Sequence, residues 1–151
     1  MDRIDARILT ELQRNGRLSW SKLAERVNLS ASACQRRVEA LVDDGVIEKF
    51  TVALNERALG NTVKAFVAVN IDRQFPDMAQ DFRDKIKEHP QVQACFMISG
   101  SIDFMLEVVA KDLAAFAEFI DGELLAMPAV KDASSSIVLR VVKSKKTMIK
   151  S

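Results

Sequence analysis

Six residues in one short stretch carry groups that can meet a nucleic acid. Ser30, Ser32, Ala33, Gln35, Arg36 and Arg37 lie within NLSASACQRRVEALVDDG, residues 28–45. Hydroxyl, carboxamide and guanidinium groups donate to base edges and phosphate oxygens in a major groove. The spacing suggests a helix with Cys34 at the centre of its buried face. At about 100° per residue, Ser32 and Arg36 then point away from the core, and Gln35 and Ala33 lie on the flanks. Arg37 falls only about 60° from Cys34, at the core's edge, where it contacts either a phosphate or an acidic neighbour. The outward set sits near the helix N-terminus, where recognition helices meet DNA. An ordinary amphipathic pair with a solvated polar face has the same spacing, so the pattern alone leaves both readings open.

The elements that must aim this set are two helices and a tight turn. A first helix is expected over roughly Lys22 to Val27, capped by Ser19 or Ser21. Asn28-Leu29-Ser30 is the turn, and asparagine is one of the few non-glycine residues that tolerates a left-handed backbone. Ser30 then caps the second helix, which runs to about Asp44 and stops at Gly45. Leu23, Val27, Leu29, Cys34, Val38 and Leu41 form the inward stripe. Asp2 to Asn15 supplies a further helix with Ile4, Ile8 and Leu12 on one face, closed by Gly16. Trp20 either staples the start of its helix or stays partly exposed. The result is a helix-turn-helix head. Val46 to Leu54, VIEKFTVAL, reads as a strand, part of a wing, and NERALGNT (55–62) as a linker. The expected domains are 1–50, a strand and linker over 51–62, and 63–151.

Composition bounds the function classes. The 151 residues, 48% of them hydrophobic, suffice for two small domains. No apolar run reaches the roughly 18 residues of a membrane span. The charged, periodic start MDRIDARIL is unlike a signal peptide, so a cytoplasmic location is expected. Net charge is +1, from 22 basic and 21 acidic residues. That is little excess charge for releasing counterions, so DNA binding requires local clustering or several copies together. Lys143, Lys145, Lys146 and Lys150 form one such cluster. Cys34 and Cys95 read as core residues in a reducing compartment, not a disulfide or metal pair. His89, before Pro90 at a helix end, has no evident partner, and zinc would have too few ligands. No phosphate-cradling glycine loop or acid/base pair converges with a nucleophile, so neither an enzyme nor a cofactor is expected.

The second half follows the order β-α-β-β-α-β, the ferredoxin-like arrangement. Strands are expected over Val63–Ile71, Val92–Ser99, Phe104–Val109 and within Val130–Val142. The helices are Asp77–His89, with Met78, Phe82 and Ile86 inward, and Asp112 to about Met127, with Leu113, Phe116, Ala117, Ile120 and Leu124 inward. Gly100-Ser101-Ile102-Asp103 is a turn. One strand face is apolar throughout: Val63, Ala65, Val67, Val69, Ile71; Val92, Ala94, Phe96, Ile98; Phe104, Leu106, Val108; Ile137, Leu139, Val141. The other still carries Phe66, Ala68, Cys95, Met97, Met105, Val109, Val138 and Val142, with Lys64, Asn70, Glu107 and Arg140 among them. Two helices cover only one face of four strands, so a second copy, sheet against sheet, is expected on the other. The fold class is therefore α+β, an N-terminal three-helix winged helix-turn-helix joined to a ferredoxin-like domain.

Several segments together resemble the Lrp/AsnC (feast/famine) family of prokaryotic transcription regulators. DRIDARILTELQRNGRLS is similar to that family's opening helix and KLAERVNLSASACQRRVEALVDDGVI to its helix-turn-helix. GSIDFMLEVV, LLAMPAV and SSSIVLRVVK are similar to its effector-binding domain. The resemblance implies double-stranded DNA as partner, and a sheet-faced homodimer assembling into tetramers or octamers around which DNA wraps. It implies an amino-acid effector bound between dimers near the turn. The candidate effector residues are Met97, Ser99, Gly100, Ser101, Ile102, Asp103, Phe104, Ser134, Ser135 and Ser136. Asp103 suits the ammonium, and the serine hydroxyls or backbone amides near Gly100 suit the carboxylate. In the family the turn usually reads Gly-Asp-x-Asp followed by an aromatic; here Ser101 replaces one acid. Asn28 replaces the family's usual glycine in the helix-turn-helix. The altered turn leaves a second expectation, an architectural DNA-binding protein whose C-terminal half serves only assembly.

Overall fold

Asp2 starts the first helix. Its carboxylate accepts from the Ile4 and Asp5 N–H groups at 2.8 and 2.9 Å, and the Asp5 carboxylate accepts from the Asp2 N–H in return. This reciprocal box satisfies donors that the helix itself cannot. The computed structural model, which describes residues 1–72, 74 and 76–143, shows α1 (Arg3–Arg14), α2 (Trp20–Val27) and α3 (Ala31–Asp43). Ser19 caps α2 and Ser30 caps α3. Ile8, Leu23, Ala24, Val27, Cys34, Val38 and Leu41 are buried together, with Leu29 partly buried beside them. Burial pushes the Cys34 thiol pKa up. Trp20 keeps 40% of its surface exposed.

Asn28 takes the left-handed conformation, φ 59° and ψ 51°, between α2 and α3. Asn28→Ala should therefore lower stability by about 1 kcal/mol, since an ordinary Cβ strains that conformation. Asn28→Gly should stay within about 0.5 kcal/mol of the parent, because glycine needs no such strain. Urea unfolding of the two variants checks the difference.

The strand expected over 46–54 is not formed. Its backbone joins no ladder, and the Ile47 N–H donates to the Leu41 carbonyl at 2.9 Å, closing the end of α3 instead. Phe50, Val52 and Leu54 are exposed. A strand-like composition makes a strand only where a neighbour supplies the other half of the hydrogen bonds.

The second unit, built on Leu54–Val142, has the expected element order. Strands β1 (Val63–Ile71), β2 (Val92–Met97), β3 (Phe104–Ala110) and β4 (Val130–Ile137) pair antiparallel in the order β2-β3-β1-β4. Helix α4 (Pro76–Glu88) follows β1, and α5 (Leu113–Ala117) follows β3 and runs into a π-helical stretch, Glu118–Leu124. Val63, Ala65, Val67, Val69 and Ile71 pack with Phe104, Leu106 and Val108 against Phe82, Ile86, Phe116, Phe119 and Leu124. Each of these side chains except Ala65 contributes about 1.5–3 kcal/mol by leaving water.

Four expectations about faces fail, each for a local reason. In α4, Phe82 and Ile86 are buried as expected, but Ala79 opens the inward stripe in place of the exposed Met78, because repeated steps of four residues drift off a period of about 3.6 residues. In β2 the register shifts between Val92 and Ala94. This bulge exchanges the faces after it: Cys95 and Met97 pair with Leu106 and Phe104 on the helix side, while Ala94 and Phe96 pair with Glu107 and Met105 on the open side. Cys95 lies exposed on this edge strand, not in the core. After α5, the Leu125 N–H reaches the Ile120 carbonyl five residues back. That wider turn brings Phe119 and Leu124 onto one buried face, while Leu113 and Ala117 on the preceding α5 are exposed. Strand β4 ends at Ile137, so Leu139 and Val141 are exposed beyond it.

Candidate functional site

Ser30, Ser32, Gln35 and Arg36 are exposed on the first turns of α3, Ala33 and Arg37 are half-buried, and Cys34 is fully buried between them. The Ser30 hydroxyl accepts from the Ala33 N–H at 3.2 Å and lies 3.3 Å from the Ser32 hydroxyl. Gln35 donates to Glu39 at 2.8 Å, which holds its carboxamide along the helix. Arg36 makes no hydrogen bond or ion pair with any described residue. A guanidinium carried outward on a rigid helix with no intramolecular partner can donate to an anion or base edge without first breaking a bond.

Arg37 is already engaged. Its Nη1 lies 2.8 Å from Asp2 Oδ2 and 2.7 Å from Asp5 Oδ1, across from α3 to the start of α1. Of its two expected contacts, the acidic neighbour is the one formed here. The Asp2 carboxyl is held below its ordinary pKa, first by the Asp5 N–H and then by Arg37. Arg37 is pushed up in turn by Asp5 and Asp2. A second bridge joins α1 to α2: Arg26 reaches Glu11 at 2.5 Å and Arg7 donates to the Arg26 carbonyl at 2.7 Å. Of the C-terminal lysines, Lys143 is exposed, and Lys145, Lys146 and Lys150 lie outside the described residues.

The second candidate centre is the 98–103 turn between β2 and β3. Gly100 sits at φ 126°, a conformation that favours glycine. Asp103 fastens the turn: its N–H donates to the Val69 carbonyl at 3.1 Å and to Asn70 Oδ1 at 3.2 Å, and its Oδ2 accepts from the Ile71 N–H at 3.0 Å. Asn70 donates onward to Asp132 at 3.1 Å. Beside the turn is a cleft of about 350 Å³ lined by Ile71, Ala79, Arg83, Met97, Ile98, Asp103 and Phe104. Three of the expected effector residues, Met97, Asp103 and Phe104, therefore share one hollow. Ser99, Gly100, Ser101 and Ile102 form the turn without lining it.

Arg83 and Ala79 were not singled out from the sequence. They are four apart on α4 and so share a face. Arg83 donates twice to Gln80, at 3.1 and 2.7 Å, which holds the guanidinium near the helix. Ser134, Ser135 and Ser136 are placed elsewhere. They pair with Ala68, Val67 and Phe66 on β4, the edge strand remote from β2. Ser134 and Ser136 face the open side, so one chain does not bring them into the cleft. His89, expected to lack a partner, lies 2.9 Å from Glu123 and packs its ring against Phe119 at a tilt of 48°.

The two centres correspond to two known kinds of domain. Residues 1–48 match the model of a winged helix-turn-helix DNA-binding domain, and residues 64–148 match that of the Lrp/AsnC ligand binding domain. The chain belongs to the Lrp/AsnC family. Among Lrp/AsnC relatives, the Bkd operon transcriptional regulator of Pseudomonas aeruginosa is 39% identical over 94% of this chain and 93% of its own. The leucine-responsive regulatory protein of Escherichia coli is 33% identical over 99% of this chain and 91% of its own. A transcriptional regulator from Neisseria meningitidis, solved with L-Met, superposes with a TM-score of 0.94 at 35% identity over 98% of this chain and 96% of its own. In this Lrp/AsnC chain no helix of the described residues is long and apolar enough to cross a membrane.

Proposed function

We propose that the protein is a sequence-specific DNA-binding transcription regulator whose assembly responds to an amino acid. The observation that carries the DNA half is the exposed Arg36, without a hydrogen-bond or ion-pair partner among the described residues, on a helix whose opposite side is locked into a core. Ser30, Ser32, Ala33 and Gln35 complete the DNA-facing surface. The relatives' names, all of transcriptional regulators, support the same reading. A homodimer forms through the open sheet face, where Phe66 and Phe96 remain 40% and 48% exposed around the Lys64–Glu107 ion pair. Dimers assemble further, and heads multiplied on one particle offset the small net charge, because many modest contacts sum.

The effector is an amino acid with an apolar side chain. Ile71, Met97, Ile98 and Phe104 line the apolar wall of the cleft, and Arg83 takes the carboxylate. Asp103 is the anion that balances the ammonium. The L-Met complex of the Neisseria meningitidis protein supports an amino-acid effector, and the match of residues 64–148 to a ligand binding domain supports this half as its site. A thermal-shift panel of the standard amino acids tests it. A true effector at one hundred times its Kd adds about 2.7 kcal/mol of stability, a rise of several degrees, and Arg83→Ala should abolish that rise.

One observation favours a second reading. The Asp103 carboxylate already takes the Ile71 N–H, so the turn has a structural use without any ligand. An architectural protein, assembled through the same domain but insensitive to effectors, follows from that. Lack of response to every amino acid, with the oligomer unchanged, would establish it over the sensor.

A further inference from the structure

We propose that Arg37 is a positioning residue for DNA recognition, which sets the rotation of α3 through Asp2 and Asp5 and does not itself touch DNA. The proposal rests on the reading of α3 as the recognition helix.

The geometry argues for it in three steps. First, a single guanidinium nitrogen holds two carboxylates, at 2.8 and 2.7 Å, and these belong to the N-cap and third residue of α1. Both acids are fixed by the capping box, so Arg37 is tied to a rigid point and not to a loose side chain. Second, Arg36 and Arg37 are adjacent on one helix, about 100° apart. Whatever fixes the azimuth of Arg37 fixes that of Arg36. The apolar stripe of Cys34, Val38 and Leu41 anchors one line of the helix, and the Arg37 clasp adds a polar anchor at a different azimuth. A rotation of about 20° moves a group at the roughly 6 Å outer radius of a helix by about 2 Å. Hydrogen bonds to base edges span only about 0.5 Å of distance. Third, the clasp is open to water on one side: the Arg37 side chain is 33% and that of Asp2 52% accessible, while that of Asp5 keeps 14%. A pair that water still reaches contributes modestly to folding stability, so the clasp has a consequence of its own in orientation. With two carboxylates on it, Arg37 also has little charge left to offer a phosphate.

Neutralising the acid gives opposite outcomes for the two roles. A phosphate-binding Arg37 would be released by Asp5→Asn, and DNA binding would hold or strengthen. A positioning Arg37 loses the less exposed of its two anchors, and recognition weakens although no cation was removed. Asparagine keeps an acceptor oxygen for the Asp2 N–H, so the helix start survives. The experiment uses the full chain and a duplex that it enriches from a random library, against a shuffled duplex of the same composition. Asp5→Asn and Arg37→Met should each cut the preference for the enriched duplex about tenfold, with the slope of affinity against salt unchanged from the parent. A variant that is only less stable would leave that preference intact at temperatures where it is folded. The proposal is overturned if Asp5→Asn leaves the preference intact, or if Arg37→Met lowers the salt slope by about one per head, the signature of a lost phosphate contact. A parent chain that enriches no duplex overturns the DNA reading first and this proposal with it.

Discussion

Arg36→Ala is expected to weaken binding to the enriched duplex by about 1–3 kcal/mol per head, roughly 5- to 150-fold, while leaving the oligomer and its melting temperature in place. The separation of effects follows from the position. Arg36 makes no hydrogen bond or ion pair with a described residue, and its helix is anchored by Cys34, Val38 and Leu41 on the opposite side. Exposed substitutions away from caps and cores change stability by less than about 0.5 kcal/mol. In a dimer the loss counts twice, so the full effect on a two-site duplex approaches the square of the single-head factor. Gln35→Ala should cost less, because its carboxamide must first give up Glu39. Gel shifts at two salt concentrations measure both, and an unchanged affinity for Arg36→Ala would remove it from the interface.

The head was legible in the sequence because its signals are local. Ser19, Ser30 and Asn28 each act on a backbone within three residues, and all three stand where their chemistry places them. The Arg37 clasp could be placed only as far as the core's edge, since its partners lie 32 and 35 residues away. The ferredoxin-like order was legible from alternation, yet the alternation misled wherever the backbone inserted or widened a step. One bulge after Val92 moved Met97 from the open face to the cleft side and Phe96 the other way. One π-helical stretch substituted Phe119 for Ala117 in the core. Neither device has a sequence signature of its own here. Gly100 and Asp103 could be read as a turn, but the tie from Asp103 to β1 is tertiary and joins residues 32 apart. The segment 46–54 marks a different limit: composition shows that a strand is favoured but not what it pairs with.

Phe66→Lys on the open sheet face is expected to yield monomers and, through them, the larger loss of DNA binding. Phe66 stands opposite Glu107 on β3 and Ser136 on β4. A lysine there meets a carboxylate across the strand, as Lys64 already does, so a single chain tolerates it. Face to face with a second sheet, the same lysine loses about 2 kcal/mol of apolar burial and places a charge in a dry interface. A two-fold axis repeats the defect, giving at least about 4 kcal/mol, roughly a thousandfold in dimer dissociation. Heads that no longer come in pairs also lose the effective concentration of the second site, which is worth about 10²–10⁴ in avidity. Light scattering and gel shift on the same preparation check the two steps. A Phe66→Lys chain that remains dimeric would place the dimer contact elsewhere. A monomer that still binds the enriched duplex at parental affinity would show that one head suffices, and the small net charge of the chain argues against that result.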